Sequence, residues 1–256
     1  MDKVYPSVDE AVADIPNGAS IAISGFFTAG TPIPLIQALA KKGAKNLTII
    51  CMQMGPGNED INQLVVNKQV KKAICNYPFY RSASRGAESP VEQAVRSGKL
   101  KMEVYPMGTF TEKLRAGGAG LAAFYTPTGI GTVVEAGKEK RTFEGKDYLL
   151  ELAIKPDYAF VYAYKGDRMG NLCCHKTARN YNPEMAAAGK ITIAAVENLV
   201  EPGESVYGID DKLPVQPVGL QCGLRGCYLF PQIDSIHLHL LLRSPFYHFL
   251  FIISLA

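Results

Sequence analysis

Six short apolar runs punctuate the chain, at Ile21 to Ser24, Leu47 to Cys51, Ala73 to Cys75, Met102 to Tyr105, Tyr158 to Tyr162 and Ile191 to Val196. Continuous apolar runs of this length predict strands of a parallel sheet, buried on both faces. Between them the spacing changes to i, i+3, i+4. Leu35, Ile36, Leu39 and Ala40 form one such stripe, and Ile61, Leu64 and Val65 form another. Near the N-terminus, Ser7 with Glu10 three residues later makes a capping box, and Val8, Ala11 and Val12 supply an apolar stripe, so Met1 to Gly18 reads as a helix. The polar stretch Arg81 to Glu92 predicts a surface loop leading into a helix over Val91 to Ser97, where Pro90 suits the first turn. Strands alternating with helices define an α/β layered domain.

No repeat or linker interrupts this pattern before residue 208, which gives one domain over 1–208. Beyond Gly208 the periodicity stops, and Leu, His, Phe, Cys and Pro rise. Ile236 to Ala256 is strongly apolar, but Arg243, Ser244 and Pro245 split it. Neither piece reaches the roughly 20 apolar residues of a membrane span. Residues 209–256 are expected to be an atypical tail, explained by a shifted reading frame or a joining artefact near 205–210.

Composition narrows the function classes. Of 256 residues, 47% are hydrophobic and 20% charged, which excludes disordered and fibrous classes. The 27 basic and 24 acidic side chains are scattered, with net charge +3, so no nucleic-acid partner is expected. An anionic small ligand remains open. Six cysteines without a paired framework, and an acidic N-terminus without an apolar leader, point to reduced thiols in the cytoplasm.

Two glycine-rich segments carry the candidate chemistry. The loop Ser24 to Pro32 follows a predicted strand and precedes a predicted helix, where unpaired N–H groups suit a phosphate, carboxylate or oxyanion. A purely structural turn is the other reading. No nucleotide fingerprint is present, since residue 27 is Phe and no Gly-Lys-Ser/Thr follows. The run Arg115 to Thr132 holds five glycines and the Thr126 and Thr128 hydroxyls, and reads either as a backbone binding surface or as a pair of tight turns. Arg179 and Asn180 either clamp a carboxylate or tie two loops together. Cys173, Cys174 and His175 lack spacing for one metal. Cys222, Cys227, His237 and His239 miss the usual zinc pattern, so no metal is expected.

Asn17 to Pro32, NGASIAISGFFTAGTP, is similar to the first signature of the family I coenzyme A transferases, with Ser24 where the family has Gly. Arg115 to Thr132 resembles the same family's RAGGAG and YTPTG run, and Phe143 to Pro183 its KGDR and K-ARN series. The resemblance covers roughly residues 5 to 205 and is to the A (alpha) subunit, nearest the 3-oxoadipate and 3-oxoacid variants. It implies an open, mostly parallel sheet with helices on both faces, as in these transferases and some sugar-phosphate isomerases. It also implies that coenzyme A moves from an acyl-CoA to a carboxylate through a glutamyl thioester. The nucleophilic glutamate belongs to a B subunit, so no catalytic residue is expected in this chain. Glu135-Ala136-Gly137 and Glu201-Pro202-Gly203 do not follow Ser and are decoys.

By the same resemblance, loops for coenzyme A and the acyl group comprise Gly25, Phe26, Gly30, Pro32, Gly117, Gly118, Gly120, Thr126, Thr128 and Gly129. Gln53, Met107, Gly108 and Thr109 form the substrate pocket, with no permanently bound cofactor. Met107 stands where the family has Gln, and Met52-Gln53 where relatives often have Asn-Asn. A buried thioether at 107 favours an apolar acyl group or fills the core. The rival readings are a self-contained isomerase or hydrolase using Glu112, and an inactive scaffold.

Overall fold

The computed structural model describes residues 3–55, 60–78 and 88–202 and the backbone of 227–231. Among them, strands β1 (Ser20–Ile23), β2 (Leu47–Cys51), β3 (Val70–Cys75) and β4 (Lys101–Val104) alternate with helices α1 (Val8–Ala11), α2 (Ile33–Lys42), α3 (Ile61–Val66) and α4 (Pro90–Arg96). Then come α5 (Met107–Gly118), β5 (Ala123–Thr126), β6 (Lys140–Phe143), β7 (Lys146–Leu152), β8 (Tyr158–Asp167) and β9 (Leu172–Cys173). After these follow α6 (Asn182–Ala188), β10 (Ile191–Val200) and β11 (Cys227–Pro231). The main sheet runs β11-β10-β8-β1-β2-β3-β4, parallel throughout, with β9 antiparallel against β8.

Alternation along the strands divides the core. Ile21, Ile23, Ile49, Phe160 and Ile193 face α1 to α4, where Leu35, Leu39, Leu64 and Val91 cover them. Ala22, Ala159, Ala163 and Ala194 point the other way, toward Phe110 and Leu114 of α5 and Met185 and Ala186 of α6. These small side chains let α5 and α6 lie close on the sheet. The helices therefore stand on both faces, as the resemblance implied.

Two sequence expectations change. The N-terminal helix is a single turn: Ser7 accepts from Glu10 N at 3.2 Å as the capping box requires, but Val12 already ends it. The pattern also gave no warning of a second, antiparallel sheet, β5-β7-β6, whose β6–β7 hairpin turns through Glu144 and Gly145, both at positive φ. Buried Lys113 of α5 holds this sheet through Glu151 of β7 at 2.8 Å, and Lys138 completes the pairing. No described helix is long and apolar enough to cross a membrane. The expected boundary after Gly208, and all of the tail except β11, lie outside the described residues.

Candidate functional site

β1 is central. β2, β3 and β4 extend the sheet on one side, β8 and β10 on the other, so the strand order reverses between β1 and β8. Ligand sites of open parallel sheets lie outside the carboxyl ends of the strands at such a reversal. The loop Ser24 to Pro32 leaves β1 there. Phe26 and Ala29 exchange both backbone hydrogen bonds at 3.0 Å, Phe27 takes φ 55°, and the Thr31 hydroxyl donates to Phe27 O at 2.9 Å. Phe26 remains 43% exposed at the tip.

The expected anion seat at the start of α2 is not available. Ile33 N–H already donates to Thr31 O at 2.9 Å, Leu35 N–H to Pro32 O at 3.1 Å, and Pro34 has no N–H. Gly30 is likewise covered by protein. It has φ +67°, and a Cβ there would stand 2.4 Å from Ala178 O and 2.8 Å from the Asn180 and Asn182 amides.

Asn180 and Asn182 fix this loop from across the chain, and Tyr181 between them ties α5 to the segment after β3. Asn180 Nδ2 donates to Ala29 O at 2.9 Å and so ties two loops together, while Arg179 beside it is exposed. Tyr181 OH receives the Thr111 hydroxyl of α5 at 3.0 Å and the Asn76 amide beyond β3 at 3.4 Å. Buried Asn182 does most. Its Nδ2 donates to Ala178 O at 2.7 Å and Gly30 O at 3.1 Å, and its Oδ1 accepts from Tyr162 N at 2.7 Å. Ser24 Oγ stands 2.5 Å from the same Oδ1 and 3.1 Å from Gly30 O. The hydroxyl at the position that departs from the family pattern therefore has a defined place. The pairing of β1 with β8 ends at Ile23 and Phe160, so Asn182 supplies the partner that Tyr162 N–H would otherwise lack.

Sequence reasoning missed Ser24, Tyr181 and Asn182 as site-building residues. The bonds that tie Tyr181 to α5 and Asn182 to the loop after β1 span 70 to 158 residues, and only the Asn-Tyr-Asn-Pro entry into α6 hints at a cap.

Gly25 and Gln53 meet in one recess with Ser24, Phe27, Thr31, Gly55, Asp60 and Ile61. Its free volume, about 10 Å³, is room for roughly one water molecule. Gln53 is 5% exposed, yet among the described residues neither its amide nitrogen nor its oxygen has a hydrogen-bond partner. A buried amide left unsatisfied costs free energy and calls for a ligand or partner. Thr109 Oγ1, buried in the first turn of α5, also has no partner among the described residues. Met107 beside it is 57% exposed, so the expectation of a buried thioether is wrong. The end of a helix is solvated there, and no core exists for it to fill. α5 begins without a side-chain cap or an acidic residue, and Gly108 is open to solvent.

The run Arg115 to Thr132 is not one surface. Arg115 to Gly118 ends α5, where a Cβ on Gly117 would stand 2.0 Å from Ile154 O and one on Gly118 2.7 Å from Ala187 Cβ. These two glycines serve helix packing, whereas Gly120 makes the turn that follows. Thr126 closes β5, and its hydroxyl accepts from Thr128 N at 3.2 Å. Thr128, Gly129 and Gly131 form an exposed turn braced by Glu135, whose carboxylate accepts from Gly131 N at 2.7 Å and pairs with Lys140. The Gly131 amide, with Lys140, holds that carboxyl below its ordinary range. Thr126, Thr128 and Gly129 thus sit on the small sheet, apart from the recess of Gly25 and Gln53.

No acid–base pair emerges among the described residues. Glu112 is taken by Arg115 at 2.7 Å, and Cys51, Cys75 and Cys174 are buried, which raises their thiols, the latter two to about 12. Glu197 on β10 is pushed up to about 7 by burial. No described group of His, Cys, Asp and Glu is suited to a metal ion.

Where the strand order reverses, the loop after β1 and the segment following β2 frame a buried amide that has no partner among the described residues. Residues 5–208 match the family model described as Coenzyme A transferase, and the chain belongs to that family. It is 44% identical over 205 residues to the A subunit of the 3-oxoadipate CoA-transferase of Acinetobacter baylyi, covering 80% of this chain and 87% of the relative. It is 42% identical over 204 residues to the A subunit of the succinyl-CoA:3-ketoacid coenzyme A transferase of Helicobacter pylori, covering 80% and 85%. The fold is shared with the acyl-CoA transferase YdiF of Escherichia coli O157:H7 at TM-score 0.72 and 23% identity, over 92% of this chain and 48% of that one.

Proposed function

We propose that this chain is the A subunit of a two-subunit transferase. The enzyme moves coenzyme A between an acyl-CoA, such as succinyl-CoA or acetyl-CoA, and a short-chain or 3-oxo carboxylic acid. A B subunit supplies the nucleophilic glutamate. The observation that carries this reading is Gln53: a buried amide without partners among the described residues, in a recess too small by itself for an acyl chain. Such a group is matched when a substrate carbonyl or carboxylate arrives and a second chain closes the pocket. The Ser24 to Pro32 loop, held by Asn180 and Asn182, is then a rigid wall, and Phe26 at its tip is available to coenzyme A. The uncapped start of α5, with Met107, Gly108 and Thr109, faces the acyl tail, and Thr126, Thr128 and Gly129 reach the partner side. The four described cysteines are free thiols, in keeping with a cytoplasmic enzyme.

The test is reconstitution. Mixed with an acyl-CoA and a B subunit, the chain should support ping-pong exchange, with a coenzyme A thioester detected by mass on the B subunit only. Gln53→Leu should gain up to about 1–3 kcal/mol of stability in urea by removing unsatisfied polar atoms and lose most of the exchange. Full turnover by the isolated chain would instead favour the isomerase or hydrolase reading.

A further inference from the structure

The amino end of the main sheet, opposite the recess of Gln53, holds a second concave feature. A groove of about 430 Å³ is lined by Gly18, Asn46, Thr48, Lys71, Lys72 and Lys101. The strand register builds it. Thr48 of β2 pairs with Lys72 of β3, and Lys72 with Lys101 of β4, so these three residues stand side by side across the strands, and a register shift before Thr48 leaves Lys71 as the extra residue of β3. Neighbouring strands are roughly 5 Å apart, and two like charges in register destabilise the pair. Glu103, two residues beyond Lys101 on the same face, pairs with Lys72. Lys71 and Lys101 have no ion pair with any described residue. Three lining lysines against one carboxylate leave an excess of two positive charges around a groove that is also lined by Asn46 and Thr48.

We propose that this groove is an anion site for a phosphate-class dianion, separate from the acyl site. Charge number, donor set and size agree on that class. A monoanion leaves one ammonium unmatched, whereas a tetrahedral dianion accepts from Lys71, Lys101, Thr48 and Asn46 together. Lys72 stays with Glu103 and sets the floor. Free phosphate and a phosphate borne by a nucleotide share this chemistry, and the groove's open side admits either.

The experiment is calorimetric titration of the full chain at constant ionic strength with inorganic phosphate, inorganic pyrophosphate and adenosine monophosphate in separate arms. Saturable binding of at least one of these at one per chain is expected, weakened about tenfold by Lys101→Ala and abolished by Lys101→Glu, with Lys146→Ala on the small sheet as the unaffected control. Tighter binding of adenosine monophosphate than of phosphate identifies a nucleotide-borne source, and the reverse order identifies the free ion. Absence of saturable binding in the unaltered chain overturns the proposal, as does binding that Lys101→Ala leaves unchanged. Coenzyme A exchange is not the readout, so failure here leaves the transferase reading untouched.

Discussion

Asn182→Ala tests whether the loop after β1 is positioned by one side chain. The substitution removes both donor bonds, to Ala178 O at 2.7 Å and Gly30 O at 3.1 Å, and the acceptor for Tyr162 N at 2.7 Å and for Ser24 Oγ at 2.5 Å. Tyr162 N–H then has no strand neighbour on that side, and an orphaned donor costs about 1–3 kcal/mol. The other bonds contribute about 0.5–1.5 kcal/mol each, least at Gly30 O, which keeps the Ser24 hydroxyl. The expected loss is about 3–5 kcal/mol, a large part of the roughly 5–15 kcal/mol that holds a domain together. Asn182→Asp adds a signature of its own. The new carboxylate would face two carbonyl oxygens, so its folded-state pKa is raised and the variant is penalised as pH rises. At acidic pH the protonated carboxyl donates to one of those carbonyls and recovers part of the loss. Urea denaturation at pH 5 and pH 8, each variant referred to the unaltered chain, measures both effects. A loss under about 1 kcal/mol for Asn182→Ala, or a pH-independent penalty for Asn182→Asp, would refute the reasoning.

Glu197 gives the chain a pH dependence of its own. Burial raises its carboxyl from 4.5 to about 7, so the folded state holds the proton longer, and stability is full below about pH 4.5 and falls as pH rises toward 7. Because the group is only half-buried, Glu197→Gln should stabilise the chain by about 1–2 kcal/mol at pH 8 and by nothing at pH 4.5; urea melts at the two pH values decide. The glycines of α5 should respond in opposite directions. Gly117→Ala meets Ile154 O and should cost about 3 kcal/mol, whereas Gly108→Ala meets nothing within 4 Å and should gain up to about 1 kcal/mol. Equal melting temperatures for the two would count against the packing described.

The parallel sheet is legible in the sequence because its strands are buried on both faces. Leu47–Cys51 reads to the residue from five consecutive non-charged side chains after Asn46. β8 and β10 read short, since Lys165, Asp167 and Glu197 break the apolar run while the ladder continues beneath them. β5, β6 and β7 escape notice because a small, largely exposed sheet needs no apolar stripe. Among site residues, Gln53 is marked by its place in a motif. That its amide lacks partners is a property of neighbours brought in from β1 and α3. The glycines at 30, 117 and 118 read as open to a ligand because a missing side chain looks the same in sequence whether protein or substrate fills the gap.

The alanines of β1, β8 and β10 beneath α5 and α6 act as a shim whose thickness is set by single methyl groups. A valine at Ala22, Ala159 or Ala194 would lift both helices together, and with them Thr111 and Tyr181, whose hydroxyls meet above the sheet. The distance between the α5 tip and the loop after β1 is therefore calibrated in side chains buried beneath the helices.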